Sequence, residues 1–147
     1  MTDRVLFAKA RSIERCLRRV REEYVGHEAE LATDWTRQDA AVLNLLRACE
    51  QAIDMANRVI RLRRLEPPDS AVEAFFVVQR AGLIPPDLAL SMKRMVGFRN
   101  VAVHAYEELD IEKVRQIIEH RLDDLAAFSR AMVEADPTAT GADKHES

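Results

Sequence analysis

The chain has 147 residues, 48% apolar and 32% charged, with four Gly, five Pro and a formal charge of −3. That length suits one domain whose core holds without disulfides, and so few Gly and Pro argue for helices over a sandwich or a disordered chain. The near-neutral balance excludes a generic polyanion binder, although residues 1–66 carry 13 Lys and Arg against 11 Asp and Glu while residues 67–147 carry 9 against 14, so a phosphate-facing surface is expected on the first half.

Leu6, Ile13, Leu17, Val20 and Tyr24 recur at helical spacing and predict a first helix from about Thr2 to Tyr24, with Gly26 just past its end. Arg11, Arg15 and Arg18 line another face, read first as solvated surface and second as a nucleic-acid patch. Thr36-Arg37-Gln38-Asp39 resembles a capping box opening a second helix. Val42, Leu46, Cys49, Ile53, Ala56 and Ile60 then alternate fours and threes, a seam that must pack along its length inside the subunit or against a second copy. Pro67-Pro68 stops it, and Ser70 to Glu73 caps a short helix that Gly82 can close. Pro85-Pro86-Asp87 starts a fourth helix with Leu88, Met92, Met95 and Val96 on its apolar face; Gly97 should weaken it. Asp110 is the expected N-cap of one last helix striped by Val114, Ile117, Ile118, Leu122, Leu125 and Met132. The expectation is an all-α bundle of about five helices over residues 1–136, followed by a disordered tail, 137–147.

Cys16 and Cys49 fall inside apolar helical patterns and read as reduced core thiols. Asp3, Arg4 and Lys9 interrupt the first apolar residues, and no run approaches the ~20 apolar residues of a membrane span. A cytoplasmic protein without membrane contact is expected.

The densest chemistry lies at Arg99-Asn100-Val101-Ala102-Val103-His104-Ala105-Tyr106. Arg is a permanent cation whose planar fork grips phosphate, and His moves protons near neutrality. Together they are the minimum apparatus for cleaving an RNA phosphodiester without a metal, because RNA supplies its own nucleophile in the 2′-hydroxyl. On one straight helix, Arg99 and His104 lie about 140° apart and His104 and Tyr106 about 200° apart. A helix end or bend, or a second subunit, is therefore needed to unite them. The competing reading is structural, with His104 and Tyr106 merely satisfied at a helix terminus.

The stretch from Lys93 to Tyr106, containing Arg99, His104 and Tyr106 in the pattern R-x4-H-x-Y, resembles the signature of HEPN-domain proteins and, more narrowly, of HepT toxins. The helix from Leu45 to Asn57 looks like that family's second helix, and the likeness spans about residues 3 to 134. The resemblance implies a homodimeric RNase toxin with two motifs meeting in a cleft. It also implies an MNT-type nucleotidyltransferase antitoxin that transfers AMP from ATP onto the motif tyrosine, here Tyr106.

On this reading Arg99 and His104 are catalytic. His104 takes the 2′-proton or protonates the leaving 5′-oxygen, and Arg99 stabilises charge growing on the phosphate. The product ends in a 2′,3′-cyclic phosphate, and DNA is inert. Asn100 and Tyr106 are expected to contact substrate, Tyr106 by phosphate contact or stacking, since a free phenol titrates near pH ~10 and makes a poor base. Glu50 and Asp54 share a face of the second helix; they either support Arg99 or His104 or pair with Arg47 or Arg58 at the surface. His27, His104, His120 and His145 show no ligand spacing, so neither metal nor cofactor is expected. No Gly-rich phosphate loop marks the chain as a nucleotidyltransferase itself. Two other readings stay open: a non-catalytic helical partner or substrate subunit of a minimal nucleotidyltransferase, and an all-α scaffold.

Overall fold

The computed structural model describes residues 3–138. Six α-helices follow one another, α1 Arg4–Tyr24, α2 Trp35–Leu62, α3 Ala71–Arg80, α4 Pro86–His104, α5 Ile111–His120 and α6 Leu122–Glu134. Short 3₁₀ turns interrupt them at Glu28–Glu30 and Tyr106–Glu108. Among the described residues there is no strand, and no helix is long and apolar enough to cross a membrane. Thr2, where the first helix was expected to begin, and residues 139–147 of the expected tail lie outside the described residues.

The two longest helices form the frame. They run antiparallel, as their ion pairs record: Arg58 to Asp3 at 2.8 Å, Lys9 to Asp54 at 2.9 Å and Arg37 to Glu23 at 3.2 Å. Asp3 also caps α1 by accepting from the Leu6 N–H at 2.9 Å. The hydrogen bond from Arg58 holds the Asp3 carboxyl below its ordinary pKa. The core between these helices takes in Leu6, Ile13, Val20, Leu45, Met55, Phe75, Met92 and Phe128, with the Phe75 and Phe128 rings edge to face at 5.1 Å. Cys16 and Cys49 are unpaired and buried, and burial pushes both thiols up.

Four local expectations are revised. Asp34, not Thr36, caps α2, its carboxylate accepting from the Arg37 N–H at 3.1 Å; a carboxylate beside the exposed helix start outcompetes the hydroxyl two residues on. The α2 seam is spent within the chain: Val42, Cys49, Ile53, Ala56 and Ile60 are buried, as are Leu88, Met92, Met95 and Val96 of α4, while Leu46 is half-buried. That apolar face therefore supplies no surplus for a second copy. Gly97 does not interrupt α4, which continues through it to His104. The last helix breaks in two at Arg121, whose backbone leaves helical geometry at φ −121° and ψ −7°. The break sets His120 at the end of α5 and Asp123 and Asp124 in the first turn of α6, the signs that the two helix dipoles favour.

Helix ends follow the left-handed turn. Gly82 at φ 80° closes α3, with the Leu83 N–H reaching back to the Val78 carbonyl at 3.0 Å. The same bond pattern closes α2 around Arg64 at φ 57°, where the Leu65 N–H reaches the Ile60 carbonyl at 2.9 Å.

Candidate active site

The R-x4-H-x-Y stretch occupies the last turns of α4 and the 3₁₀ turn after it. The helix stops immediately beyond His104: the Ala105 N–H bonds to the Val101 carbonyl at 2.8 Å, and Ala105 itself has left the helix at φ −150° and ψ 55°. Two β-branched residues, Val101 and Val103, precede this end. Tyr106 is thereby released from the helical wheel and turns onto α2.

There its hydroxyl donates to Asp39 Oδ1 at 2.5 Å. Seven residues earlier, Arg99 Nε lies 2.8 Å from Glu50 Oε1, an ion pair not aligned as a hydrogen bond. Because α4 runs against α2 here, moving from Arg99 to Tyr106 moves the contact back from Glu50 to Asp39. Those two acids are eleven residues apart, about 20° on a helical wheel, so they share one stripe with Leu43 and Leu46 between them. Asp39 was expected in a cap; its role against Tyr106 was not visible in its own neighbourhood. The only sequence signal was the spacing of the two acids along one face of α2.

Arg99 also donates from Nη1 to Asn100 Oδ1 at 2.8 Å. Nε and Nη1 are thus committed, and Nη2 has no hydrogen-bond partner among the described residues. The guanidinium is half-buried and held by Glu50 on one side and Asn100 on the other. Such a held fork gives up less side-chain freedom when it meets a phosphate. Asp54 takes no part, being paired with Lys9 instead.

His104 is exposed at the end of α4. Neither a hydrogen bond nor an ion pair joins it to Arg99 among the described residues. One chain therefore presents a positioned cation and a free imidazole on different sides of one helix end. The Tyr106 phenol is pushed up to about 12, by partial burial first and by the hydrogen bond to Asp39 second, and it stays protonated at neutral pH. Among the described residues no three His, Cys, Asp or Glu side chains gather as metal ligands would.

On the other side of α4 a groove opens between α4, the turn after it and α5, floored by Phe98, Val101 and Ile117. Arg94, Lys113 and Arg121 line it against Glu108 and Asp110. Trp35, Leu43 and Val103 are 77%, 45% and 52% exposed, and Val5, Phe7, Val25 and Leu90 are exposed as well. Trp35 and Leu43 belong to the face of α2 that carries Asp39, and Val103 lies about 40° from Arg99 on α4.

The sequence profile of the family described as ribonuclease HepT-like matches residues 13–132. The chain is 37% identical over 124 residues to the mRNA nuclease HepT of Shewanella oneidensis, covering 84% of this chain and 92% of that protein. It is also similar to the solved structure of the tri-AMPylated S. oneidensis HEPN toxin in complex with MNT antitoxin, with a TM-score of 0.84, 35% identity and coverage of 88% of this chain and 97% of that one. A second solved structure, a toxin–antitoxin with AMP-PNP, matches with a TM-score of 0.83 and 34% identity over 88% of this chain and 98% of that one.

Proposed function

The chain belongs to the HepT-like ribonuclease family, and from that premise we propose that it is a toxin endoribonuclease that cleaves RNA without a metal and is silenced by AMP addition to Tyr106. The observation that supports the reading is the arrangement of the R-x4-H-x-Y motif: an Arg99 held between Glu50 and Asn100, and an exposed His104 at the end of the same helix.

Arg99 takes a non-bridging phosphate oxygen, and its charge counts most in the transition state, where negative charge on the phosphate is greatest. His104 removes the proton of the 2′-hydroxyl as that oxygen attacks phosphorus, or returns a proton to the departing 5′-oxygen. Asn100 fixes one edge of the guanidinium, and its amide nitrogen is available to the same phosphate. The basic members of the groove beside α4 offer sites for neighbouring phosphates.

Arg99 and His104 diverge by about 140° on one helix, so one copy holds the phosphate and the proton carrier apart. Two copies meeting across the exposed Trp35, Leu43 and Val103 would set the Arg99 of one against the His104 of the other. This favours a homodimer with a shared cleft, partnered by an MNT-type nucleotidyltransferase.

Transfer of AMP to Tyr106 places a phosphodiester and an adenosine two residues from His104. The phosphate competes for Arg99 and the nucleoside fills the cleft. Incubation with the cognate nucleotidyltransferase and ATP should add AMP mass to a peptide containing Tyr106 and stop cleavage without unfolding. Tyr106→Phe should remain unmodified. AMP found on Tyr24, or modified protein cutting at the unmodified rate, contradicts the reading.

A further inference from the structure

Asp39 lies outside the motif, 67 residues from the tyrosine it touches. No ion pair or cap occupies it: Asp34 caps α2, and neighbouring Arg37 is engaged by Glu23, Glu30 and Asp34. Its carboxylate accepts the Tyr106 hydroxyl proton end-on at 2.5 Å, and both side chains are open to solvent. An enzyme that modifies Tyr106 therefore meets a phenol whose proton already points at a carboxylate.

We propose that Asp39 is the general base for nucleotidyl transfer to Tyr106, a catalytic group supplied by the chain being modified. The inference rests on the reading of Tyr106 as the AMP acceptor. In the step, the Tyr106 oxygen forms a bond to the α-phosphorus of a nucleoside triphosphate held by the partner enzyme. The bond from that phosphorus to the oxygen bridging to the β-phosphate breaks, and pyrophosphate leaves. The phenolic proton passes to the Asp39 carboxylate and from there to water.

The chemistry calls for such a group. A phenol is a weak nucleophile until its proton has somewhere to go, and partial burial and the Asp39 contact hold the proton of this one more firmly than in a free phenol. The other titratable side chains carried near it are His104 at the end of α4, Glu107 and Glu108 on its own turn, and Arg99 further back on α4. Asp39 alone bonds to the hydroxyl. The same contact also points the hydroxyl away from solvent-random orientations before the partner arrives, which lowers the ordering left to do in the transition state.

Asp39→Asn separates base from tether, because the amide oxygen still accepts the tyrosine hydroxyl but cannot take up its proton. The experiment follows AMP incorporation into full-length protein by mass spectrometry, with the cognate nucleotidyltransferase and ATP, from pH 6.5 to 9.5. Wild type should label Tyr106 at a rate nearly independent of pH on the substrate side. Asp39→Asn should label about a hundredfold more slowly at pH 7 and recover as hydroxide replaces the missing base, with its fold intact by circular dichroism. Asp39→Ala, which loses the tether as well as the base, should label no faster than Asp39→Asn. Labelling of Asp39→Asn at the wild-type rate overturns the proposal, as does a slow Asp39→Asn with an unchanged pH profile. Failure of wild type to label at Tyr106 instead removes the acceptor reading on which the proposal stands.

Discussion

At the scale of single residues, the site is two acids on one helix answering two groups of another. Glu50 meets Arg99 and Asp39 meets Tyr106, and only the first of these contacts was weighed from the sequence. Arg99, His104 and Tyr106 were legible because their types and spacing are confined to eight residues. Asp39 was not, because its partner is 67 residues away and its local context imitates a cap. The Glu50 contact predicts a graded effect. Glu50→Gln keeps the shape but removes the counter-charge, so Arg99 should be less well held while remaining a cation. Cleavage should fall by roughly tenfold, mostly in the turnover number, in the range of about 1–2 kcal/mol expected for disturbing a charge-assisted contact. Measuring both kinetic constants on a short RNA checks this. An unchanged turnover number would mean that Glu50 merely covers the arginine.

At the scale of elements, helix ends decide what the site can do. Stopping α4 after His104 lets Tyr106 leave the wheel and reach α2, whereas a helix continued through Tyr106 would carry it about 200° from His104. The sequence foretold helix ends at Gly26 and Gly82 and the start of α4 at Pro85-Pro86, since those residues have few alternatives, but α2 stops at Leu62, before Pro67-Pro68, through the left-handed Arg64. It did not foretell the break at Arg121, because the apolar stripe runs on unaltered and only the change of charge from His120 to Asp123 and Asp124 marks it. The start of α1 supplies a pH-dependent test. Asp3 caps the helix and binds Arg58, and its carboxyl is held below the ordinary pKa by that hydrogen bond. A lowered native pKa stabilises the fold above the unfolded value of about 3.9, and the contribution disappears as pH falls through the native value. Asp3→Ala should therefore cost about 1–2 kcal/mol at pH 7, some 2–8 °C in melting temperature for a chain of this size. The gap from wild type should narrow below pH ~4. Calorimetry at pH 7 and pH 3 measures it, and an equal gap at both would assign the loss to packing alone.

At the scale of the whole molecule, the sequence left the α2 seam to pack inside the subunit or against a second copy, and the structure buries it against the chain's own helices. Periodicity shows that a face must be covered, not by what. Of the exposed apolar residues, Trp35 and Leu43 lie on the α2 face that carries Asp39 and Val103 lies about 40° from Arg99 on α4, so the dimer is expected across the site and not along the seam. Leu43→Glu and Val103→Glu change exposed positions and should alter folding stability by no more than about 0.5 kcal/mol. Each should nevertheless shift light scattering from dimer toward monomer and reduce RNA cleavage in proportion. Monomeric wild type at micromolar concentration, still fully active, would rule out a shared cleft. The chemistry itself is tested most directly by the ends of the RNA. Purified wild-type protein, in excess chelator, should cut RNA to leave 2′,3′-cyclic phosphate and 5′-hydroxyl ends, leave DNA untouched, and lose at least about a hundredfold in rate on His104→Ala or Arg99→Ala with the fold intact. Cleavage that requires added divalent metal, yields 5′-phosphate ends or survives His104→Ala would contradict it.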